Sequence, residues 1–417
     1  MQFFRTQLEC GATLIGQKLK DRPVVFGCSI PYGSAHDKPR LQGMAHFLEH
    51  MLFESETNLR REIIEKQLDA YGGDMNAYTE YLRTVVYCCV PPREIINGVR
   101  FICELVRRPN FRPHDLGLER KIIRIETDMA EDDPLETGED LINLAMYHPP
   151  FGALVRGKQK TIRNITSEDL LKVWKRAYNP SGFTFSFAGD VSGDIVKDAI
   201  NSSLDRHELL STPYVPLLPP TIVPQTQNIF QAKKGLKKTH LRLGYQSPHL
   251  TDPLYPAFCV LDVHLAGGPF SNLFQEIREK RGLAYRVTAL EDSGARHGAY
   301  CLFIGTPPGK VKKVCQIVKR EIEASVRISK ERFEYARDRI LGVLDSTAIQ
   351  PEERMSDLLE WETDGPGAER LLQKKEYLQK ATLEEVRTVA RKLSEQEPAK
   401  VFISSPKFIH KYRAKYM

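Results

Sequence analysis

The sequence predicts an α+β fold of two similar units, each with a mostly antiparallel sheet packed by helices. The chain has 417 residues, which is too long for one ordinary domain and suits two domains of about 200 residues each. Strand-like and helical runs mix without strict alternation, which favours an antiparallel or mixed sheet. A proline-rich stretch lies near the middle of the chain, where a linker would join two domains.

The clearest strand patterns lie in the first half of the chain, at 24–30, 84–90 and 183–188. The last of these, FTFSFA, alternates apolar and polar residues, which is typical of a strand with one buried face. Helical patterns lie between these strands or follow them, near 58–71, 94–107, 115–131, 166–178 and 194–204.

Residues 206–229 are predicted to form an extended linker. Five prolines occur between 206 and 227, and proline fixes φ and lacks a backbone donor, so no helix is expected there. The linker divides the chain into a predicted first domain at 1–205 and a predicted second domain at 230–417.

The two halves share a similar helix start. Thr166 is followed three residues later by Asp169, and Thr382 is followed three residues later by Glu385; both pairs fit a capping box. A strand-like run follows each helix at nearly the same spacing. We interpret this match as two copies of one α+β unit. A chance likeness between two amphipathic helices is the alternative.

Composition argues against several classes of function. The net charge of +6 is spread along the chain, and no basic and aromatic residues interleave as in RNA-binding proteins, so nucleic acid is not a predicted partner. No window holds 18 uninterrupted apolar residues, so no membrane span is predicted, and the N-terminus lacks a signal-peptide pattern. The eight cysteines include no CxxC pair, which predicts reduced thiols in a cytoplasmic protein.

The segment GMAHFLEHMLF, at 43–53, is predicted to be a buried helix with one polar stripe. At about 100° per residue, Glu49 lies at about 300° and His50 at about 40° from His46, so the three share one face. Apolar residues cover the rest of the helix. Burying unpaired ionisable groups costs several kcal/mol, so another group must satisfy them.

A divalent metal ion is one such group. His46 and His50, spaced i and i+4, present two ring nitrogens to one point, as zinc ligands do. Glu49 lies on the same face and fits a base acting on a metal-bound water. The pattern HxxEH inverts the HExxH pattern of zincins. Histidines bonded only to neighbouring backbone or carboxylate groups are the alternative.

A third ligand is expected on the segment 116–134. Glu119 and Glu126 are two helical turns apart and therefore share a face. Isoleucines at 122, 123 and 125 predict that the helix is buried around Glu126. A solvated acidic face is the alternative, because basic residues lie nearby.

Together these motifs resemble the M16 (pitrilysin or inverzincin) metallopeptidases, in which HxxEH is followed by about seventy residues and Glu-x6-Glu. Here 68 residues separate His50 from Glu119. The closest likeness is to short bacterial M16B members, including the zinc-bearing proteins of Gram-positive bacteria, and to the subunits of mitochondrial processing peptidase. Further matches in chain order are Asp74–Thr79, Thr84, Tyr87, His148-Pro149, Gly157, Asn179-Pro180, Gly267-Gly268, Ser271, Leu273-Phe274 and Arg278–Tyr285.

The resemblance implies one zinc ion per chain, held by His46, His50 and Glu126. It implies that Glu49 is the general base of a peptide hydrolase and that Glu119 orients a ligand histidine. It also implies that the strand carrying Asn76 and Ala77 binds an extended peptide as an added strand.

In the second half, the resemblance leads us to expect an Arg and a Tyr that hold the substrate carbonyl. Arg278 and Tyr285 have the spacing Arg-x6-Tyr, although they lie one element earlier than expected. Tyr300 is a further candidate in the next predicted strand. The alternatives are different groups in this half, or a pair supplied by another subunit.

Long M16 proteins contain four such units and this chain has two, so the resemblance implies a homodimer or a heterodimer with a related M16 chain. The leading prediction is a zinc endopeptidase. The alternative is a non-catalytic or partner-dependent structural subunit, which the intact HxxEH motif and Glu126 argue against. A third hypothesis is a maturation factor that cleaves one dedicated peptide.

Overall fold

The structure, a computed structural model, describes residues 2–53, 66, 68–107, 109, 111–204, 222–346 and 349–416. Most of the predicted helix near 58–71 and most of the predicted linker at 206–229 lie outside these residues, so that helix and the domain limits at 205 and 230 stay predictions. The chain forms two compact units. Unit 1 comprises Met1–Met129, Ala153–Thr221 and Ile349–Thr363, and unit 2 comprises Ala130–Gly152, Ile222–Ala348 and Asp364–Met417.

Unit 1 contains a six-stranded sheet. Its strands are β1 (Gln2–Gln7), β2 (Thr13–Lys18), β3 (Val24–Ile30), β4 (Asp74–Thr79), β5 (Thr84–Val90) and β6 (Thr184–Gly189). They lie in the order β1-β2-β6-β3-β5-β4. β2 and β6 run parallel, and every other neighbouring pair runs antiparallel. The three predicted strands are confirmed as β3, β5 and β6, the last beginning one residue later than expected.

Unit 2 contains a five-stranded sheet. Its strands are β7 (Asn228–Ala232), β8 (Thr239–Gln246), β9 (Val287–Ser293), β10 (Gly298–Thr306) and β11 (Ala399–Ser404). Their order is β7-β11-β8-β10-β9, with β7 and β11 parallel and the other pairs antiparallel. This order repeats β2-β6-β3-β5-β4 strand for strand and direction for direction. The prediction of two copies of one unit is therefore confirmed.

Helices pack both sheets, and the two predicted capping boxes are present. Thr166 pairs with Asp169, and Thr382 pairs with Glu385, each at the start of a helix that precedes a strand. In chain order, the α-helices with described bounds are α1 (Met44–Leu52), α2 (Ile95–Arg107), α3 (Pro113–Asp132), α4 (Pro134–Met146), α5 (Gln159–Ile162), α6 (Ser167–Ala177), α7 (Gly193–Ser203), α8 (Tyr255–Ala266), α9 (Val311–Ser325), α10 (Lys330–Ser346), α11 (Pro351–Asp364), α12 (Ala368–Leu372), α13 (Lys374–Gln379), α14 (Leu383–Ser394) and α15 (Pro406–Tyr416).

Each sheet is packed on one face by a helix from the opposite half of the sequence. In unit 1, Met355 of α11 lies over Gly27 of β3, where an added Cβ would come within 2.7 Å of the Met355 sulfur. In unit 2, Met146 of α4 lies over Gly244 of β8 in the same manner. The two glycines let each helix approach its sheet closely. Because α11 packs on the first sheet and α4 on the second, each unit includes a segment from the other half of the sequence.

The main core of unit 1 lies on the other face of its sheet. Alternate residues of a strand point to opposite faces, so Phe26 and Cys28 join the core that contains α1, whereas Val25 packs with Met355. The buried apolar residues of α1 are themselves part of this core. No helix among the described residues is both long and apolar enough to cross a membrane.

Candidate metal centre

The predicted helix with a polar stripe is present as α1. His46 and His50 are partly buried, with 13% of each side chain exposed, and their ring centroids lie 4.7 Å apart. The remaining helix surface packs into the core through Met44, Ala45, Phe47, Leu48, Met51 and Leu52. This packing fixes the direction in which the stripe points.

Asp37 fixes the start of α1. Its carboxylate accepts hydrogen bonds from the backbone N–H groups of Gly43 (2.8 Å) and Ala45 (3.1 Å), and the Tyr32 hydroxyl donates to it at 3.0 Å. Burial raises the pKa of Asp37 to about 7, although these hydrogen bonds oppose that rise. A carboxylate here satisfies free N–H groups and favours the helix dipole. The sequence prediction missed Asp37, because it lies six residues before Gly43 rather than at the usual capping position.

Two glycines let another loop pass the start of α1. Gly43 has a φ of 94° and Gly157 a φ of 71°, and an added Cβ on either would clash with the backbone near the other. Side chains are therefore excluded at this crossing. The crossing places Arg156 close enough to His46 to contribute to lowering its pKa.

Replacing Asp37 with alanine is expected to lower the free energy of unfolding by roughly 1–2 kcal/mol, because two buried N–H groups lose their acceptor. Equilibrium denaturation measures the loss. Asp194→Ala is a matched control in the first turn of α7, where 73% of the aspartate side chain is exposed. We expect the control to change stability by less than about 0.5 kcal/mol. Equal losses in the two variants would contradict the capping role.

α3 brings two carboxylates to the histidines of α1. Glu119 Oε2 lies 3.0 Å from His50 Nδ1, and Glu126 Oε2 lies 3.2 Å from His50 Nε2 and 3.8 Å from His46 Nε2. Both carboxylates lie on the same face of α3, as their spacing of seven residues predicts. Each ring nitrogen of His50 therefore has a carboxylate partner.

The donor set fits a zinc ion. One donor atom from each of His46, His50 and Glu126 can be chosen so that all three lie within 4.8 Å of one another. Zinc binds nitrogen and carboxylate oxygen at about 2.0–2.2 Å, and a tetrahedral arrangement then separates neighbouring donors by about 3.3 Å. The contacts of 3.2 and 3.8 Å to Glu126 approach that separation. Glu119 on Nδ1 of His50 leaves Nε2 to face the metal position, as an orienting carboxylate does.

The charges of His46 and Glu126 suit metal binding, whereas His50 must release a proton before its ring can coordinate a metal. Burial and the neighbouring His50 lower the pKa of His46 to about 3, which keeps its ring neutral. Burial also acts to lower the pKa of His50, but hydrogen bonds with Glu119 and Glu126 outweigh it and raise that pKa to about 9. The hydrogen bond with His50 lowers the pKa of Glu126. A neutral imidazole and an ionised carboxylate are the forms that coordinate a metal.

Glu49 faces β4 on the other side of the stripe. The Thr79 hydroxyl donates to Glu49 Oε2 at 2.5 Å, and Thr84 lies next to Thr79 and donates to the Tyr32 carbonyl at 2.9 Å. Burial raises the pKa of Glu49, against the opposing effect of the Thr79 hydrogen bond. The carboxyl group is thus fixed in place and is a stronger base than an exposed glutamate.

The prediction that α3 is buried around its isoleucines is wrong for two of them. Ile123 is 1% exposed, but Ile122 is 36% and Ile125 58% exposed. Only one face of α3 packs into the core, and Ile122 and Ile125 lie outside it. Leu118 and Met129 are exposed on the same side as these isoleucines.

Asn76 and Ala77 lie on β4, at the edge of the six-stranded sheet. They pair on the inner side with Tyr87 and Val86 of β5. The Asn76 side chain accepts a hydrogen bond from the Ala77 N–H at 2.8 Å. The outer edge of β4 has no strand neighbour among the described residues, which is the property that strand addition requires.

The predicted residues of the second half lie in unit 2. Tyr285 is 74% exposed, and the Arg278 guanidinium lies 4.8 Å from its ring centroid and 4.7 Å from that of Phe274. Tyr300 is completely buried in β10 and packs edge-on against Phe258 at 5.4 Å. This burial argues against the predicted substrate contact of Tyr300, because a substrate cannot reach a side chain that is not exposed.

Sequence comparisons identify relatives along most of the chain. The family model Insulinase (Peptidase family M16) matches residues 14–154, and the model Peptidase M16 inactive domain matches residues 164–340. A protein of Mycobacterium leprae named "Uncharacterized zinc protease" is 30% identical over 328 residues, covering 77% of this chain and 73% of that protein. A Streptomyces coelicolor protein with the same description is 29% identical over 325 residues, covering 76% and 71%.

A solved structure shares the fold. A protease from Helicobacter pylori superposes with a TM-score of 0.85 at 17% identity, covering 97% of this chain and 99% of that one. This likeness confirms the predicted α+β architecture. The two matching family models and the relative at 30% identity lead to one conclusion: the chain belongs to peptidase family M16.

Proposed function

We propose that this chain is a zinc-dependent endopeptidase that hydrolyses extended peptides. His46, His50 and Glu126 are its zinc ligands, and Glu49 is its general base. The observation that carries the proposal is the meeting of two imidazoles and a carboxylate within 4.8 Å, beside a half-buried carboxylate on the same helix face. The relatives named zinc proteases support the same class of activity.

Zinc at this site would polarise the peptide carbonyl and make a water molecule more acidic. Glu49 Oε2 is occupied by the Thr79 hydroxyl, which leaves Oε1 to accept a proton from the attacking water. The raised pKa of Glu49 favours this transfer at neutral pH. The same carboxyl group then donates its proton to the leaving amine. Glu119 holds the His50 ring in the required orientation.

The edge strand β4 is the proposed binding site for the peptide backbone. Main-chain hydrogen bonds to the segment around Asn76 and Ala77 would give affinity for extended peptides of varied sequence. Pairing along this edge requires the Asn76 side chain to release the Ala77 N–H wherever the peptide uses that group. Arg278 and Tyr285 are proposed as substrate contacts from unit 2, and Tyr300 is left out because it is buried.

We also propose that the enzyme is a cytoplasmic dimer. The eight cysteines include no CxxC pair, which supports a reducing compartment. The partner would be a second copy or a related M16 chain, as the resemblance to long family members with four such units implies.

A non-catalytic subunit is the second candidate. The match of residues 164–340 to an inactive-domain model favours it for the second half of the chain. The complete donor set and the neighbouring Glu49 in the first half argue against it for the whole chain.

Cleavage of a fluorogenic peptide library by the purified full chain tests the proposal. We expect hydrolysis by the chain alone or mixed with a related M16 chain, loss of hydrolysis with a chelator, and recovery on addition of zinc. Absence of cleavage in both mixtures after zinc loading would favour the non-catalytic subunit.

A further inference from the structure

One side of α3 exposes a continuous row of apolar side chains. Leu118 is 47%, Ile122 36%, Ile125 58% and Met129 67% exposed. At about 100° per residue these four, which we call the α3 stripe, fall within an arc of about 60°. The exposed face of a surface helix is normally polar, and contiguous exposed apolar surface marks a binding site.

The α3 stripe borders the candidate metal centre. Glu126 follows Ile125 directly and lies one helical turn from Ile122 and Met129, at about 70° from the centre of the stripe. Its carboxylate contacts both histidines of α1. The stripe is therefore continuous with the place where peptide hydrolysis is proposed.

β4 and α3 flank different sides of the polar stripe of α1. Glu49 bonds to Thr79 of β4, whereas His50 bonds to Glu119 and Glu126 of α3. Glu49 and His50 differ by about 100° around α1. A peptide that pairs with β4 and crosses the metal centre is thereby directed toward the α3 stripe.

The dimensions of the α3 stripe match an extended peptide. Residues four apart on a helix are separated by about 6 Å along its axis, and side chains on one face of an extended peptide are separated by about 6.6 Å. The stripe spans about 16 Å, the length of roughly five extended residues. It contains no ionisable side chain, so its complement is apolar.

We propose that the α3 stripe binds apolar side chains at alternate positions of the peptide substrate, on the side of the scissile bond away from β4. The inference rests on the proposed function, which supplies the position of the scissile bond. It makes the enzyme selective for peptides that carry spaced large apolar residues on that side.

Peptide binding measured by fluorescence anisotropy tests the proposal without requiring cleavage. Two peptides are compared on the zinc-loaded Glu49→Gln protein, one with leucine and one with serine at two alternate positions. We expect the leucine peptide to bind at least about tenfold more tightly, since two buried apolar side chains contribute. Adding Ile125→Ser and Met129→Ser should reduce this preference to about threefold or less. Both residues are exposed, so the variant should fold.

Adding Ile96→Ser and Ile195→Ser instead is the matched control, because these unit 1 isoleucines are 48% and 46% exposed on other helices. This control should keep the preference for leucine. Equal binding of the two peptides, or a preference that survives the stripe substitutions, would overturn the proposal. Conversion of a dimer to a monomer by those substitutions, with the preference retained, would make the stripe a subunit interface instead. Failure of the proposed function alone would give a different result. The wild type would cleave neither peptide, although the leucine peptide would still bind more tightly than the serine peptide.

Discussion

Glu49→Gln is expected to reduce peptide cleavage by roughly 100- to 10,000-fold, the usual contribution of a general base. Glutamine keeps the size of the side chain and an oxygen that can accept the Thr79 hydroxyl, but its amide cannot take a proton from water. Zinc content should stay at the wild-type level, because Glu49 is not a proposed ligand. Steady-state kinetics with a fluorogenic peptide, together with elemental analysis, measure both quantities.

Glu168→Gln is the control for this variant. Glu168 lies in the first turn of α6 with 75% of its side chain exposed and pairs only with Lys172 among the described contacts. Its removal should leave kcat and KM unchanged. If Glu49→Gln retained more than a tenth of wild-type cleavage, Glu49 would not be the base.

His50→Ala is expected to abolish both zinc binding and cleavage. Losing a group that only hydrogen-bonds to a ligand costs roughly 10- to 100-fold in metal affinity, and removing the ligand itself should cost more. The substitution also leaves Glu119 without its partner on α1 and leaves Glu126 only the longer contact with His46. Competition with a zinc-sensitive dye measures the affinity.

His114→Ala provides the matched control on α3, since 90% of the His114 side chain is exposed. It should bind zinc and cleave peptides as the wild type does. Wild-type zinc affinity in His50→Ala would remove His50 from the ligand set and leave the metal assignment without its central residue.

Local periodicity predicted the parts of the molecule that depend on neighbouring residues. Three strands, two capping boxes and the polar stripe of α1 follow from spacings within a single element. The approach of Glu126 to α1 was also predicted, from the helix face that Glu126 shares with Glu119 and from the family spacing of the two motifs. The isoleucines around Glu126 led to a wrong prediction of burial, because apolar content does not show whether a partner covers the helix.

Long-range packing accounts for what the sequence did not predict. Asp37 caps α1 from outside the helix, through a loop whose path depends on Gly43 and Gly157. Met146 and Met355 cover Gly244 and Gly27 on sheets of the opposite halves of the chain. A glycine in a strand indicates close approach, yet nothing in the sequence says which distant helix approaches.

Zinc stoichiometry tests the central claim most directly. The full-length wild type, loaded with zinc at neutral pH and dialysed, is analysed for metal content beside the triple variant His46→Ala, His50→Ala, Glu126→Ala. The assignment predicts about one zinc per wild-type chain and almost none in the triple variant. A wild type without bound zinc, or a triple variant with an equal amount, would contradict it.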